Sequence, residues 1–147
     1  MLRVRSAAAR PVRVLLVEDN DVYAHTLELL LEPIETVEIL SRARNGADGV
    51  QLAVDLEPDV VLMDVSMPIM GGFEATRRIR AHRPETRVVM LTSSDDPADK
   101  ARARAAGACD YLTKDTPLDD LIAMLTDVTR QDAADVPYCA ATALARA

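Results

Sequence analysis

Three carboxylates, two hydroxyls and one ammonium occupy equivalent places in this sequence, each close behind a short apolar run. Glu18 and Asp19 follow "VRVLLV" (12–17), Asp64 follows "DVVLM" (59–63), Thr92 and Ser93 follow "RVVML" (87–91), and Lys114 follows "CDYLT" (109–113). Carboxylates gathered in one place repel one another, so keeping them ionised requires a cation. Hard oxygen ligands of this kind select Mg²⁺, which retains several waters and recruits phosphate oxygens. One of the carboxylates can then act as a nucleophile toward phosphorus. A lysine balances charge on a transferred group, and a hydroxyl donates to one of its oxygens. Asp64 poses the question most sharply, because "VVLMDVSMPIMGG" (60–72) sets a group that is costly to bury at the end of a run that reads as a buried strand.

These groups can meet only if the runs are strands of one sheet. Five runs are apparent, the four above and "VEILSR" (37–42), with helix-length segments between them. In the first such segment Tyr23, Leu27, Leu30, Leu31 and Ile34 share one helical face. Asp96 with Pro97 reads as an N-cap followed by the first helical position, and Thr116, Pro117 and Asp119 repeat that arrangement before a stripe of Leu118, Leu121, Ile122 and Leu125. Asn45-Gly46 is a hairpin signal, yet "ADGVQLAVDL" after it has helical spacing, so a turn into a helix is expected. Five alternations of strand and helix imply an α/β fold with parallel strands, right-handed crossovers and helices on both faces of one sheet. The near-continuous apolar runs at 60–63 and 88–91 suit central strands. Ligands of such a sheet bind beyond the carboxyl ends of its strands, where Glu18, Asp19, Asp64, Thr92 and Lys114 stand.

The chain has 147 residues, 49% of them apolar and 28% charged, with one Phe and no Trp, which fits one domain with an aliphatic core. Net charge is −7 and the only basic cluster is "MLRVRSAAAR", which argues against a direct nucleic-acid partner. No segment reads as a signal peptide or a membrane span. Cys109 and Cys139 lie far apart and outside any C-x-x-C spacing, so neither a zinc site nor a disulfide framework is indicated, a reducing cytoplasm is the default, and Cys109 reads as a small buried hydrophobe. His25 and His82 lack the partners of a metal or catalytic site, and the arginines at 77, 78, 80 and 83 read as a solvated helix face, with a kinase or effector contact as the alternative.

With "LLVEDN", "DVVLMDVSMPIMGGFEATRRIR", "VVMLTSS" and "GACDYLTKDTPLDDL" in this order, residues 12 to about 130 resemble the receiver domain of the response regulators of bacterial two-component systems. The resemblance implies a flavodoxin-like, doubly wound five-stranded parallel sheet of strand order 2-1-3-4-5. It implies that Asp64 is the phosphoacceptor, and that Glu18 and Asp19 hold Mg²⁺ together with Asp64 and the main-chain carbonyl of Ser66, Glu18 through water. Lys114 would contact the phosphoryl group, Thr92 would move to hydrogen-bond it, and Tyr111 would swing inward behind Thr92. Ser66 and Ser94 would tune the lifetime of the phosphoryl group. The implied partners are a sensor histidine kinase or phosphotransfer protein and a downstream protein of unknown identity. Arg102, Arg104, Tyr111 and Asp119 lie on the family's usual signalling surface, a candidate homodimer contact. On this view the protein is a cytoplasmic signalling switch that catalyses only its own phosphorylation and dephosphorylation.

The implied division is a flexible basic N-terminal extension (1–10), a receiver domain (11–131) and a C-terminal tail (132–147) in which "CAATALARA" reads as a short helix. The receiver either stands alone or belongs to a longer LuxR-type regulator. Two departures from the family pattern stand out: Ile69, Met70 and Gly71 replace a more frequent Gly, Met and Asp, and Asp115 replaces a Pro, leaving the isomer of the Lys114–Asp115 peptide open. Three alternatives stand beside this reading. One is a degenerate receiver that acts as a binding module without phosphorylation. Another is an Asp-nucleophile phosphohydrolase, which wants a second acid where Ser66 stands. The last is a flavin binder, whose phosphate the acidic "VEDN" would repel.

Overall fold

The computed structural model describes residues 10–130, and the expected extension and tail lie outside the described residues except for Arg10. Five strands, β1 (Val12–Val17), β2 (Val37–Ala43), β3 (Val60–Met63), β4 (Arg87–Thr92) and β5 (Asp110–Thr113), alternate with five helices. The helices are α1 (Asp21–Leu31), α2 (Gly46–Leu56), α3 (Gly72–His82), α4 (Pro97–Ala106) and α5 (Leu118–Arg130). All strand pairs are parallel and the order is β2-β1-β3-β4-β5, as expected.

The central strands have apolar residues on both faces because helices cover both. Successive side chains of a strand point to opposite sides. Val14, Leu16, Val60, Leu62, Val89 and Leu91 therefore pack with Ala24, Leu27 and Leu31 of α1 and Leu121 and Leu125 of α5. Their neighbours Leu15, Val17, Val61, Met63, Val88 and Met90 pack with Ala53 of α2, Ala75 and Ile79 of α3 and Ala103 of α4. Each fully buried Leu or Val in these layers contributes about 1.5–3 kcal/mol relative to an exposed one, so the strand ends are held by a rigid double core.

Local signals set the helix starts. Asn20 caps α1 by accepting from the Tyr23 N–H at 2.9 Å, and Asn45 caps α2 by accepting from the Asp48 N–H at 2.8 Å, so Asn45-Gly46 does turn into a helix. Asp96 caps α4 with Pro97 in its first turn, and Gly107 ends that helix at φ 101°. Two details differ from the sequence reading. Leu30 is 47% exposed, since the buried stripe runs through Ala24, Leu27 and Leu31 and leaves Leu30 at its flank. Arg80 and Arg83 are not simply solvated: Arg80 donates to the Pro84 and Thr86 carbonyls, and Arg83 pairs with Glu57 and Glu85. Cys109 is buried, as expected of a small hydrophobe at the start of a strand. No helix among the described residues is long and apolar enough to cross a membrane.

Candidate functional site

Chain order reverses between β1 and β3, and the crevice beyond their carboxyl ends is where such sheets bind ligands. Glu18 and Asp64 flank it, each fixed by its backbone: the Glu18 N–H donates to the Ala43 carbonyl at 2.9 Å and the Asp64 N–H to the Val17 carbonyl at 3.0 Å. Glu18 is 2% exposed and Asp64 7%, while Asp19 is open to solvent. Carboxylate oxygens of the three lie within 4.8 Å of one another.

Across the crevice the Lys114 N–H donates to the Thr92 carbonyl at 2.7 Å, which ties the residue after β5 to the end of β4. Its ammonium lies 2.8 Å from Glu18 Oε1 and 3.6 Å from Asp64 Oδ1. The Lys114–Asp115 peptide is trans. One ammonium does not offset three carboxylates. Burial and the charge of Glu18 push the Asp64 carboxyl up to about 7, against the opposing pull of Lys114 and of the Val65 N–H at 2.8 Å.

The loop after Asp64 is held by close approach. The Gly72 N–H donates to the Val65 carbonyl at 2.8 Å, and a Cβ on Gly72 would lie 2.0 Å from the Asp64 carbonyl oxygen, so only glycine fits. Ile69 pays for the shape of this loop with a left-handed backbone at φ 69° while 82% exposed. Replacing Ile69 with Gly is expected to stabilise the protein by about 1 kcal/mol, read by urea denaturation, because glycine adopts that conformation without a Cβ clash.

Thr92 closes β4, one residue beyond the run read from sequence, and is 3% exposed. Its hydroxyl accepts from the Ser94 N–H at 3.3 Å, and the Tyr111 hydroxyl donates to the Ser94 carbonyl at 2.7 Å. Burial pushes the Tyr111 phenol up, with its hydrogen bonds to Ser94 and Thr92 opposing. Thr92, Ser94 and Tyr111 therefore form one linked group beside the crevice. Ser66 is exposed on the loop two residues after Asp64, and Ser94 is half-buried.

Two residues of the site escaped the sequence reading. The periodicity of the sequence places Tyr23 only on the buried face of α1, yet its ring centroid lies 4.7 Å from the Lys114 ammonium. Its place in the first turn of α1, four residues after Asp19, was the available signal. Arg42, at the end of the edge strand, donates to the Glu18 carbonyl at 2.9 and 2.7 Å and pairs with Asp21 at 2.8 Å, fixing the β1–α1 loop. Nothing in the pattern around "SRARNG" marked it.

A doubly wound α/β domain with buried acids and a lysine at its switch point is thus defined by geometry alone. The model of the response regulator receiver domain matches residues 14–126, and the chain belongs to that family. Among curated relatives, the response regulator GacA of Pseudomonas aeruginosa is 37% identical over 80% of this chain and 55% of its own length. The transcriptional regulatory protein LnrK of Bacillus subtilis is 37% identical over 76% and 50%. Protein PilH of Pseudomonas aeruginosa is 41% identical over 74% and 88%. The chain thus spans about half the length of GacA and LnrK. Among solved structures, the receiver domain of the putative response regulator NarL from Mycobacterium tuberculosis superposes with a TM-score of 0.79 at 27% identity, covering 84% of this chain and 99% of that one. The response regulator domain of Thermotoga maritima CheB gives 0.76 at 29% identity, with the same coverage.

Proposed function

We propose that this receiver takes a phosphoryl group onto Asp64 from a phosphohistidine of a sensor kinase or phosphotransfer protein and so switches a protein-docking surface. The observation that carries this reading is the Asp64 carboxylate held beside Glu18 and Asp19 with a lysine ammonium 3.6 Å away. An Asp64 oxygen attacks phosphorus in line, the phosphorus–nitrogen bond breaks, its electron pair returns to the imidazole, and an acyl phosphate results. The donor set suits a hard divalent cation: three carboxylate oxygens converge, two of the residues are buried, and burial together with the charge of Glu18 has already raised Asp64. Glu18, Asp19, Asp64 and the Ser66 carbonyl are the proposed ligands, and Mg²⁺ bound there would supply neutralisation of charge on the phosphoryl oxygens.

Lys114, already 2.8 Å from Glu18 and 3.6 Å from Asp64, is placed to exchange Glu18 for a phosphoryl oxygen on Asp64, a contact worth most where charge-assisted. The new charge of about −2 draws the Thr92 hydroxyl away from the Ser94 N–H, and Tyr111, bonded to the same loop, follows. Docking of a downstream protein, or of a second copy, to the α4–β5–α5 face then reports the state. We place this switch in the cytoplasm, acting through protein partners rather than nucleic acid.

Ser66 and Ser94 set the lifetime of the acyl phosphate on this reading, because small side chains leave the phosphoryl group open to water. Bulkier or charged replacements are expected to change the decay rate roughly tenfold, a barrier change of about 1.4 kcal/mol, followed as loss of the phosphorylated species with time. The function itself is tested by intact mass after incubation with acetyl phosphate and Mg²⁺. One phosphoryl group should be added to the parent and none to Asp64→Asn, and an adduct retained in that variant would contradict the proposal.

A further inference from the structure

We propose that Tyr23 is a positioning residue whose ring keeps the Lys114 ammonium beside Asp64 when a divalent cation claims Glu18. The inference rests on the reading of Asp64 as phosphoacceptor and assigns a further residue to that site. In the present geometry the Lys114 ammonium meets Glu18 Oε1 at 2.8 Å, Asp64 Oδ1 at 3.6 Å and the Tyr23 ring centroid at 4.7 Å. The first two are shared. Glu18 and Asp64 belong to the acidic cluster that suits a cation, and a cation held there repels the ammonium and competes for both carboxylates. The closest contact of Lys114 therefore weakens just before the phosphoryl group arrives. Its side chain is 20% exposed and ends a flexible four-carbon stem, so a lysine released from Glu18 can swing toward solvent.

The ring of Tyr23 is not open to that competition. Its attraction for an ammonium comes from the ring quadrupole and extends to about 6 Å from the centroid. The ring is well placed to persist there. The Tyr23 N–H is fixed to the Asn20 cap at 2.9 Å, and the side chain packs against the core shared by α1 and α5. Tyr23 and Lys114 line the same cleft of about 120 Å³, whose other walls are four leucines, Leu27, Leu30, Leu118 and Leu121, with Thr26 and Thr116, so the ammonium meets the ring in a mainly apolar setting. Burial, with Glu18 and Asp64 nearby, pushes the phenol up to about 12, and the ring stays neutral at working pH.

The sequence makes the test clean, for Lys100 and Lys114 are its only lysines. In full-length protein labelled with ¹³C-lysine, the Cε–H signal of Lys114 should carry an upfield ring-current shift that survives saturation with Mg²⁺. Tyr23→Phe should keep the shift. Tyr23→Leu and Tyr23→Met should lose it, the second guarding against misfolding of the first, with melting curves confirming that both are folded. In step with this, the limiting rate of phosphorylation by acetyl phosphate should fall roughly three- to thirtyfold in the Leu and Met variants. It should stay within about twofold of the parent in the Phe variant, because the ring face is retained. A parent shift that vanishes on adding Mg²⁺ would overturn the proposal, as would Leu and Met variants that phosphorylate at the parent rate, or a Phe variant as slow as they are. A parent that keeps the shift with Mg²⁺ but gains no phosphoryl group would instead overturn the phosphoacceptor reading and leave the Tyr23–Lys114 contact standing.

Discussion

Replacing Asp64 with Asn is expected to stabilise the metal-free protein at pH 8 while abolishing its function. The carboxyl is raised from 3.8 to about 7 in the folded state, with burial the largest cause and the charge of Glu18 the next. Below about pH 4 the group is protonated in both the folded and unfolded chains and has no effect on stability. Between pH 4 and 7 the folded state holds a proton that the unfolded state has lost, so stability falls as pH rises. Above pH 7 the full penalty is present, at most about 4 kcal/mol at 1.36 kcal/mol per pKa unit. Asparagine keeps the shape and removes the charge, although Lys114 then loses its weaker carboxylate contact at 3.6 Å. A net gain of about 1–3 kcal/mol at pH 8, fading as pH falls toward 4, is the expected result of urea titrations across that range. Such a gain is the signature of a residue retained for chemistry at the expense of stability.

Magnesium should reverse that ranking. A ligand that binds only the folded state stabilises it by about 2.7 kcal/mol at a hundred times its dissociation constant. The parent should therefore melt several degrees higher in excess Mg²⁺. Asp64→Asn and Asp19→Asn, each lacking one of the three converging carboxylates, should shift far less. The rise should be larger at pH 8 than at pH 5, where protons compete for Asp64. Equal shifts in parent and variants, followed by thermal melting, would place cation binding elsewhere.

The acids and the lysine were legible in the sequence because a parallel sheet converts position along the chain into position in space. A residue that ends an apolar run in such a sheet must stand at the crevice, as Glu18, Asp64, Thr92 and Lys114 do. The two-sided core was legible for a related reason: unbroken apolar runs such as Val60–Met63 have no face left for water. What escaped depends on contacts between elements rather than on order within one. Tyr23 fits the apolar periodicity of α1, and periodicity cannot show that its ring also reaches a lysine beyond β5. Arg42 looked like one more charge on an edge strand, and its hold on the Glu18 carbonyl follows only from strand register. The left-handed backbone at Ile69 was hidden too, since a β-branched residue is a poor advertisement for that conformation.

The most direct measurement traps the bond itself. Protein incubated with acetyl phosphate and Mg²⁺ is reduced with borohydride, which converts an acyl phosphate to the alcohol, and the digested chain is sequenced by mass spectrometry. Homoserine at position 64, with every other aspartate and glutamate intact, is the predicted outcome. Homoserine at Asp19, 5-hydroxynorvaline at Glu18, or a phosphoryl group found on a serine, threonine or histidine with residue 64 unchanged, would contradict it.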